Sequence, residues 1–562
     1  MRVLLMLFIF ILPAMTIAGP NKDILDLSAD FWQWRYTTQP ATSDDILRVE
    51  RPDGWQPDYS ASALREYREK YVDFRKRLDA IPKATWTRSD SVDYLCLRSA
   101  IERVNWELNV LRIPHRNPDF YVHQTLGALY ELLVIHSPMT DNRMRNIIGI
   151  LRSFPKTVAD ARGNLTEASA PFAKIALEHL SDVRSNLMAV QEALCDYPDD
   201  ALKAELANSM ASAAAALEQY REWIEDQLPN MTQPFSCGRD AYVYYLKNVA
   251  LIPGTPEELL AQGRIEWRRS VAFETFEKMR NAGAPEPELF GSVEEQVAQA
   301  RKDEQAIREF LEEKDIMSVP DWLPHYLSVE RPAKVEPLTF MGVDIDFTSE
   351  SRLDENASRY IPDPSPSLSY FYRTMAYDPR PIIVHEGVPG HYFQLARSWK
   401  HPNPIRRRFV DPGSNEGIGL YVEELMLQFG LFDNKPRTRE IMYNFMRLRA
   451  LRVEIDIQLA LGNFGIAEAG AYLAKSVPMD EETAVAESGF FAYNPGQAIS
   501  YQIGKIQVMK FLSDAKIQLG DAFNLRAFHD YLIDNGNVPI ALLRWEYLGL
   551  NDEVEQFFNE VK

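Results

Sequence analysis

The sequence predicts a mainly α-helical protein that contains at most a small β element. Over most of the chain, apolar residues recur at intervals of three to four, which is the period of an amphipathic helix. Alternation of apolar and polar residues, which indicates a strand, occurs at 340–347, inside a proline-rich stretch between 318 and 367. The two patterns favour a helical array with one irregular segment.

Several segments carry the helical prediction. In the first part of the chain the periodicity is clearest over 59–71, 92–111, 146–154 and 201–223. Thr255 and Pro256, followed by a glutamate at the third helical position, are typical of a helix start, and this helix is expected to reach about Ala282. Another helix is predicted over Ser292–Glu313, and helices are expected to resume at His385.

The composition excludes several classes of protein. A chain of 562 residues, 46% of them hydrophobic, can bury large cores and is not a disordered protein. The formal net charge of −20 repels phosphate groups, so binding to nucleic acid or to anionic lipid is not expected. We interpret the acidity mainly as a solvated surface.

The first residues predict export. The apolar run Val3–Leu12 is shorter than the roughly 20 residues needed to span a bilayer. Small residues follow and end at Ala18, so residues 1–18 are predicted to be a cleaved signal peptide. The mature chain is expected to be periplasmic or secreted, without stable membrane insertion. We divide it into an N-terminal helical region, 19–254, and a catalytic helical region, 255–562, as lobes of one interlocked body.

Three cysteines are present: Cys96, Cys195 and Cys237. An exported protein can form disulfides, and pairing of Cys195 with Cys237 is left open. None of the three lies within the spacing of two to four residues that thiolate zinc sites use. Any metal would therefore be held by histidine and carboxylate.

The segment with the clearest chemistry is His385-Glu386-Gly-Val-Pro-Gly-His391. A His-Glu pair with a nearby second histidine is typical of zinc peptidases, in which the glutamate acts as general base. A spacing of six turns the second histidine about 120° away from the first on a regular helix. Pro389-Gly390 predicts a break or bulge that would return His391 toward the metal. Two buried structural histidines are the alternative.

A third ligand is predicted in the next helix. Asp411 and the residues after it are typical of a capped helix start, and Glu416 follows it closely. A neighbouring helix at this separation can return a carboxylate to the metal. Glu423 lies two turns further on the same face, as a partner that orients a histidine or as an alternative ligand.

Four ordered patterns carry a family resemblance. H-E-x-x-P-G-H-x-x-Q is met by His385, Glu386, Pro389, Gly390, His391 and Gln394. E-G-W-A-L-Y-x-E is met by Glu416, Gly417, Leu420, Tyr421 and Glu423, with Ile418 and Gly419 in place of Trp and Ala. P-G-Q-A-x-x-Y-x-x-G and F-H-D-x-L-x-x-N-G-x-V-P begin at Pro495 and Phe528. The chain thus resembles the bacterial "domain of unknown function 885" proteins, which look like relatives of helical zinc peptidases.

The resemblance implies a large multi-helix, metallopeptidase-like fold with a deep cleft. It implies a Zn²⁺ ion held by His385, His391 and Glu416, with Glu386 as the base that activates water for hydrolysis of short peptides. It also makes Tyr501 the first candidate donor to the oxyanion, with Tyr493 second. Candidate contacts to a peptide substrate, which lie in or near these motifs, are Gln497, His529 and Arg380.

One departure and two alternatives accompany this interpretation. The family pattern D-x-G-[IL]-H is represented here by Asp456-Ile-Gln-Leu-Ala460, so a family histidine is absent. The first alternative is a catalytically silent, extracytoplasmic peptide-binding protein, and the second is a zinc hydrolase of non-peptide amides or esters. Glu386 favours an active hydrolase, because a binding protein needs no general base beside two histidines.

Overall fold

The computed structural model describes residues 21–41, 49–197 and 199–558. The predicted signal peptide, 1–18, lies outside these residues. The structure is 69% helical, with one small three-stranded sheet. This confirms the mainly α-helical fold class.

The helices before residue 255 form the N-terminal part of the described structure. In chain order, α1 to α11 span Lys22–Thr38, Ala61–Asp79, Arg88–Asn105, Ile113–Arg116, Pro118–Val122, Ala128–Leu133, Asp141–Asn164, Ala170–His179, Val183–Ala193, Asp200–Gln227 and Arg239–Tyr244. Three of them continue into or lead to π-helical turns at Trp106–Val110, His123–Gly127 and Tyr245–Val249.

The remaining helices carry the predicted chemistry. In chain order, α12 to α25 span Pro256–Arg280, Val293–Glu313, Tyr370–Tyr377, Arg380–Ile382, His391–Ser398, Pro404–Arg408, Pro412–Phe429, Pro436–Ala460, Ile466–Ser476, Glu481–Tyr493, Gln497–Leu519, Leu525–Asp534, Ile540–Leu548 and Glu555–Phe558. A fourth π-helical turn, Ile383–Gly387, continues α15.

The sheet lies in the irregular segment between 318 and 367, as predicted, and the alternating stretch 340–347 supplies only its shortest strand. β1 (Tyr326–Glu330), β2 (Ile345–Asp346) and β3 (Ala357–Ile361) are ordered β1-β3-β2. β3 pairs parallel with β1 and antiparallel with β2. Phe340 belongs to a short 3₁₀ segment, Glu336–Met341, so only the end of 340–347 forms a strand.

Local signals gave the starts of the helices. Thr255 caps α12 and forms a capping box with Glu258, as predicted. Ser292 caps α13. The segment 146–154 proved too short, because α7 continues through Pro155 and keeps burying apolar residues beyond it. Tertiary burial thus overrides the proline at this position.

The centre of the molecule is the contact between α18 and α22. Every residue of α18 from Pro412 to Leu427 is buried. Its backbone touches that of α22, because a Cβ on Gly417 would lie 2.5 Å from the Cα of Gly504. Only glycine fits on both sides of so close a contact. The main core cluster extends from Ile24 to Phe557, so helices of both predicted regions share it.

Two further predictions can be compared with the structure. Cys96, Cys195 and Cys237 are all unpaired, so Cys195 and Cys237 form no disulfide. Among the described residues, none of the helices combines the length and apolarity needed to cross a membrane.

Candidate metal centre and cavity

A broken helix positions the two histidines. His385 lies on the π-helical turn that extends α15, and the chain leaves the helix at Val388, whose backbone is extended. The Val388–Pro389 peptide is cis, and His391 is the first residue of α16. A Cβ on Gly390 would lie 1.8 Å from the carbonyl oxygen of His385, so this turn accepts only glycine. The distortion predicted at Pro389-Gly390 is a complete break.

His385, His391 and Glu416 converge on one point. Oε2 of Glu416 lies 3.4 Å from Nε2 of His385 and 3.3 Å from Nε2 of His391. All three side chains are buried, and one donor atom from each lies within 4.8 Å of the others. Three elements that are remote in sequence therefore supply one set of nitrogen and oxygen donors.

The donor set fits a zinc ion. Two ligands about 2.1 Å from a tetrahedral zinc are about 3.4 Å apart, which matches both distances from Glu416. Oε2 of Glu416 is buried and makes no hydrogen bond, which is costly unless another partner satisfies it. Burial alone would raise the pKa of Glu416, but the two imidazoles hold it well below its ordinary value. The carboxylate is thus ionised, as a metal ligand must be.

Glu423 supports the first histidine from behind. Its Oε1 lies 2.7 Å from Nδ1 of His385 and 3.3 Å from Nη2 of Arg449, and its side chain is fully buried. A proton held on Nδ1 leaves Nε2 free as a ligand. Burial lowers the pKa of His385, but the carboxylates of Glu416 and Glu423 in contact with its ring more than offset this and raise it to about 9 in the metal-free protein. The structure thus places Glu423 behind His385, not beside Glu416.

A cavity of about 1610 Å³ opens onto the centre and includes His385, His391 and Glu416 in its wall. Glu386 also lines it, with 18% of its side chain exposed. Its carboxylate faces the cavity, and Oε1 lies 3.3 Å from Nη1 of Arg359. The predicted base therefore has access to bound molecules, while the predicted ligands stay buried.

Tyr501 lies next to the first histidine. Its ring is parallel to that of His385, with centroids 6.3 Å apart, and it borders the cavity. The guanidinium of Arg452 covers the ring at 4.6 Å. Tyr493 also lines the cavity, but its ring contacts His123, at 6.0 Å between centroids, instead of either metal-centre histidine. The two predicted tyrosines thus occupy different parts of the wall.

The structure places the predicted substrate contacts away from the cavity. Arg380 is buried in an ion pair with Asp378, 2.7 Å away, and donates to the carbonyl of Leu431. The ring of His529 is fully buried and hydrogen-bonded at both nitrogens, to Tyr421 and to the carbonyl of Ile316.

Burial lowers the pKa of His529 to about 4. Gln497 borders a separate small cavity of about 70 Å³. The structure therefore does not bring Arg380, His529 and Gln497 to the wall of the main cavity, where substrate contacts were predicted.

Ala460, which stands where the family has a histidine, also lies away from the main cavity. Ala460 is buried, and its carbonyl accepts a hydrogen bond from the amide of Gly238. One turn earlier, Asp456 accepts hydrogen bonds from the amides of Ala498 and Ile499 at the start of α22. The aspartate of the pattern therefore anchors the helix that carries Tyr501, and position 460 does not border the cavity.

A second cluster brings together Asp119, His123 and His179. Oδ1 of Asp119 lies 2.8 Å from Nδ1 of His179, and Oδ2 lies 3.3 Å from Nε2 of His123. The shorter distance is that of a hydrogen bond, below the 3.4 Å or so between two ligands of one zinc. Burial alone would raise the pKa of Asp119, but the imidazoles hold it below its ordinary value. We interpret this cluster as a buried ion pair.

Sequence reasoning missed the arginines of the cavity wall, and three of them, Arg359, Arg449 and Arg452, contact residues of the site described above. The last two are three residues apart on α19, one turn before Asp456, and this spacing could have been read as one face of a helix. Arg359 lies on β3, a strand without a local signal in the sequence.

The fold and the site define a class: a mainly helical protein with a buried His-His-Glu centre at the wall of a large cavity. A family model described as "Bacterial protein of unknown function (DUF885)" matches residues 43–546. The chain therefore belongs to this family. No curated protein matches the sequence.

Solved structures share the fold. One is described as a putative lipoprotein of unknown function from Shewanella oneidensis, with 17% identity, a TM-score of 0.71, and coverage of 94% of this chain and 99% of that one. Another is described as the putative lipoprotein from Colwellia psychrerythraea, with 16% identity, a TM-score of 0.73, and coverage of 93% and 97%. At these identities the likeness establishes the fold alone.

Proposed function

We propose that this protein is a zinc-dependent peptidase that hydrolyses short peptides outside the cytoplasm. The observation that carries the proposal is the buried oxygen of Glu416, which has no hydrogen bond and lies 3.3 to 3.4 Å from two imidazole nitrogens. His385, His391 and Glu416 would hold the ion. The three-residue set leaves one tetrahedral position for water, as in catalytic zinc sites.

The surrounding residues have defined roles in this proposal. When bound, Zn²⁺ lowers the pKa of water to about 7 and polarises a carbonyl group. Glu386, at the cavity surface, accepts a proton from the attacking water and passes it to the leaving amine. Tyr501, beside His385, donates a hydrogen bond to the oxyanion that forms when water adds to the carbonyl. Glu423 fixes the proton of His385 on Nδ1.

The cavity supports a substrate larger than a single amino acid. Its volume of about 1610 Å³ exceeds the roughly 300–1,000 Å³ of sites for drug-sized molecules. Its wall combines apolar and aromatic side chains with the charged groups of the centre, which suits a short peptide better than a small ester. Export is supported by the sequence of residues 1–18 and by structural relatives that are described as putative lipoproteins.

Metal analysis and peptide digestion test the proposal together. The purified protein and its Glu386→Gln variant should each hold one zinc per chain, and only the wild type should cleave a library of short peptides. Zinc without cleavage in the wild type would retain the metal centre and reject the peptidase, which leaves a peptide-binding protein or a hydrolase of other amides. Absence of zinc in both proteins would reject the metal centre as well.

A further inference from the structure

The arginines of the cavity wall differ in whether their N–H groups donate hydrogen bonds to the protein. Four of its arginines donate hydrogen bonds to the protein itself. Arg51 and Arg143 donate to backbone carbonyl groups. Arg352 donates to Asp346 and Glu355, and Arg452 donates to both oxygens of Glu487. These four guanidiniums are committed to the protein itself. Two other arginines of the wall, Arg359 and Arg449, make ion pairs without a hydrogen bond.

The ion pair of Arg449 faces inward. Its partner is Glu423, which is fully buried, contacts His385 and does not line the cavity. Its guanidinium also covers the ring of Phe445 at 4.7 Å. Although Arg449 also borders the cavity, its charge is paired with a carboxylate behind the candidate metal centre.

The ion pair of Arg359, in contrast, borders the cavity. Arg359 is 7% exposed and lines the cavity, and its Nε and Nη1 make no hydrogen bond. Its ion-pair partner is Glu386, at 3.3 Å, which also borders the cavity. A buried guanidinium with bare N–H groups is costly, and a carboxylate is the ligand that its planar fork binds best.

We propose that Arg359 binds the free C-terminal carboxylate of the peptide substrate, so that the centre acts as a carboxypeptidase. The inference rests on the proposed function, because it names the end of the peptide that enters the site. Arg359 lies beside the residue that handles the water proton, so a carboxylate held there brings a peptide bond near the chain end to the centre. Hydrolysis adds one water, breaks that C–N bond and releases a short C-terminal fragment.

Two peptides that differ in one charge test this role. Tetra-alanine and its C-terminal amide are compared with the zinc-loaded wild type, with fragments identified by mass spectrometry. We expect kcat/KM to favour the free acid about 100-fold, as for loss of a buried charge-assisted contact. In Arg359→Gln the preference should fall below about 5-fold through a higher KM for the acid, while both peptides share a smaller loss of kcat/KM because Glu386 loses its ion-pair partner. Arg359→Lys should keep part of the preference, since the charge remains without the fork.

The control is Arg51→Gln, which removes another cation of the same wall, one that stacks on Trp55. It should retain the full preference for the acid. Equal cleavage of acid and amide by the wild type would overturn the carboxylate site. An equal loss of kcat/KM for both peptides in Arg359→Gln would also overturn it, because Arg359 would then act only through its ion pair with Glu386.

A binding measurement separates this inference from the proposed function. If the wild type cleaves neither these two peptides nor the peptide library, the peptidase proposal fails, and calorimetry on Glu386→Gln and Glu386→Gln/Arg359→Gln decides the role of Arg359. Tighter binding of the acid, by about tenfold or more and only when Arg359 is present, supports the carboxylate site. Equal affinities of the two peptides for both variants overturn it.

Discussion

At the scale of single residues, the sequence indicated the candidate metal ligands but not the residues that contact them. His385, His391 and Glu416 belong to short motifs in which residue type and spacing carry the information. Arg359 and Arg449 form ion pairs with Glu386 and Glu423 that only the folded chain creates. For the same reason, position in the sequence did not show that Arg380 forms an ion pair with Asp378, two residues away.

Glu423→Gln tests the support of the metal ligand. Loss of the negative charge next to Nδ1 of His385 should weaken zinc binding about 10- to 100-fold, which is the usual effect of losing such a partner. The affinity is measured by competition with a chromophoric chelator. The variant should remain folded, because glutamine has nearly the same volume.

The matched control is the next residue. Glu424 is also buried, but it pairs with Lys505 at 2.7 Å and with Arg269 at 3.1 Å, away from the histidines. Glu424→Gln should lower stability without changing the affinity for zinc. Equal losses of affinity in the two variants would show that Glu423 acts only through the packing of α18.

At the scale of elements, local chemistry predicted helix starts, and non-local contacts determined the rest. Thr255, Ser292 and Asp411 each cap the helix that follows, because a cap depends on residues one turn apart. The parallel pairing of β1 with β3 joins segments 31 residues apart, at Tyr326 and Ala357, and no short pattern encodes it. The break before His391 was predictable because Pro389 and Gly390 lie within it.

Gly390→Ala tests the break between the histidines. The new Cβ would lie 1.8 Å from the carbonyl oxygen of His385 and 2.5 Å from that of Val384, so the turn must move. We expect loss of stoichiometric zinc and a lower free energy of unfolding, by at least about 2 kcal/mol, as for overpacking against rigid backbone. Zinc content and urea denaturation measure the two effects.

Gly163→Ala is the comparison for the same substitution. Gly163 lies in α7, where an added Cβ would meet nothing within 4 Å. Alanine in a helix is favoured over glycine, so this variant should be neutral or more stable by about 0.5–1 kcal/mol and keep its zinc. If Gly390→Ala kept its zinc and its free energy of unfolding, that result would contradict the geometry of the break.

Asp456, which accepts hydrogen bonds at the start of α22, should make the stability of the protein depend on pH. Burial raises its pKa to about 6, although hydrogen bonds from Gly496, Tyr242, Ile499 and Ala498 act against this. An unfolded aspartate has a pKa of about 3.9. The folded protein therefore keeps a proton that the unfolded chain has lost, and the stability from this site is complete below about pH 4 and disappears as the pH rises through about 6.

Asp456→Asn removes this titration. The free energy of unfolding of the wild type relative to the variant should fall by about 2 kcal/mol between pH 4 and pH 7, because the pKa differs by about two units between the folded and unfolded chain. Denaturation at a series of pH values measures how the difference in free energy of unfolding changes with pH. Hydrogen bonds lost in the variant shift this difference by the same amount at every pH. A difference that stays constant across this range would reject a raised pKa at Asp456.

At the scale of the whole molecule, the candidate centre lies where three elements from different parts of the chain pack against one another. The π-helical turn carries His385, α16 carries His391, and α18, buried along its length, carries Glu416. The sequence predicted this convergence from motif order. It did not predict the size of the cavity, since the wall also draws on residues of the N-terminal helices such as Glu131 and His179.

Zinc content and thermal stability test the centre against the second cluster. An ion that binds only the folded chain stabilises it by about 4 kcal/mol when its free concentration is 1,000 times Kd. Because His385, His391 and Glu416 tie three elements to the main core, a chelator should lower the Tm of the whole protein in one cooperative transition.

His391→Gln and His179→Gln form the matched pair for this test. We expect one zinc per chain in the wild type and in His179→Gln, and none in His391→Gln, because His179 lies at a hydrogen-bond distance from Asp119. The chelator should lower the Tm of the first two proteins and leave that of His391→Gln unchanged. Two zinc ions in the wild type, with one lost in His179→Gln, would make Asp119, His123 and His179 a second metal site instead of an ion pair.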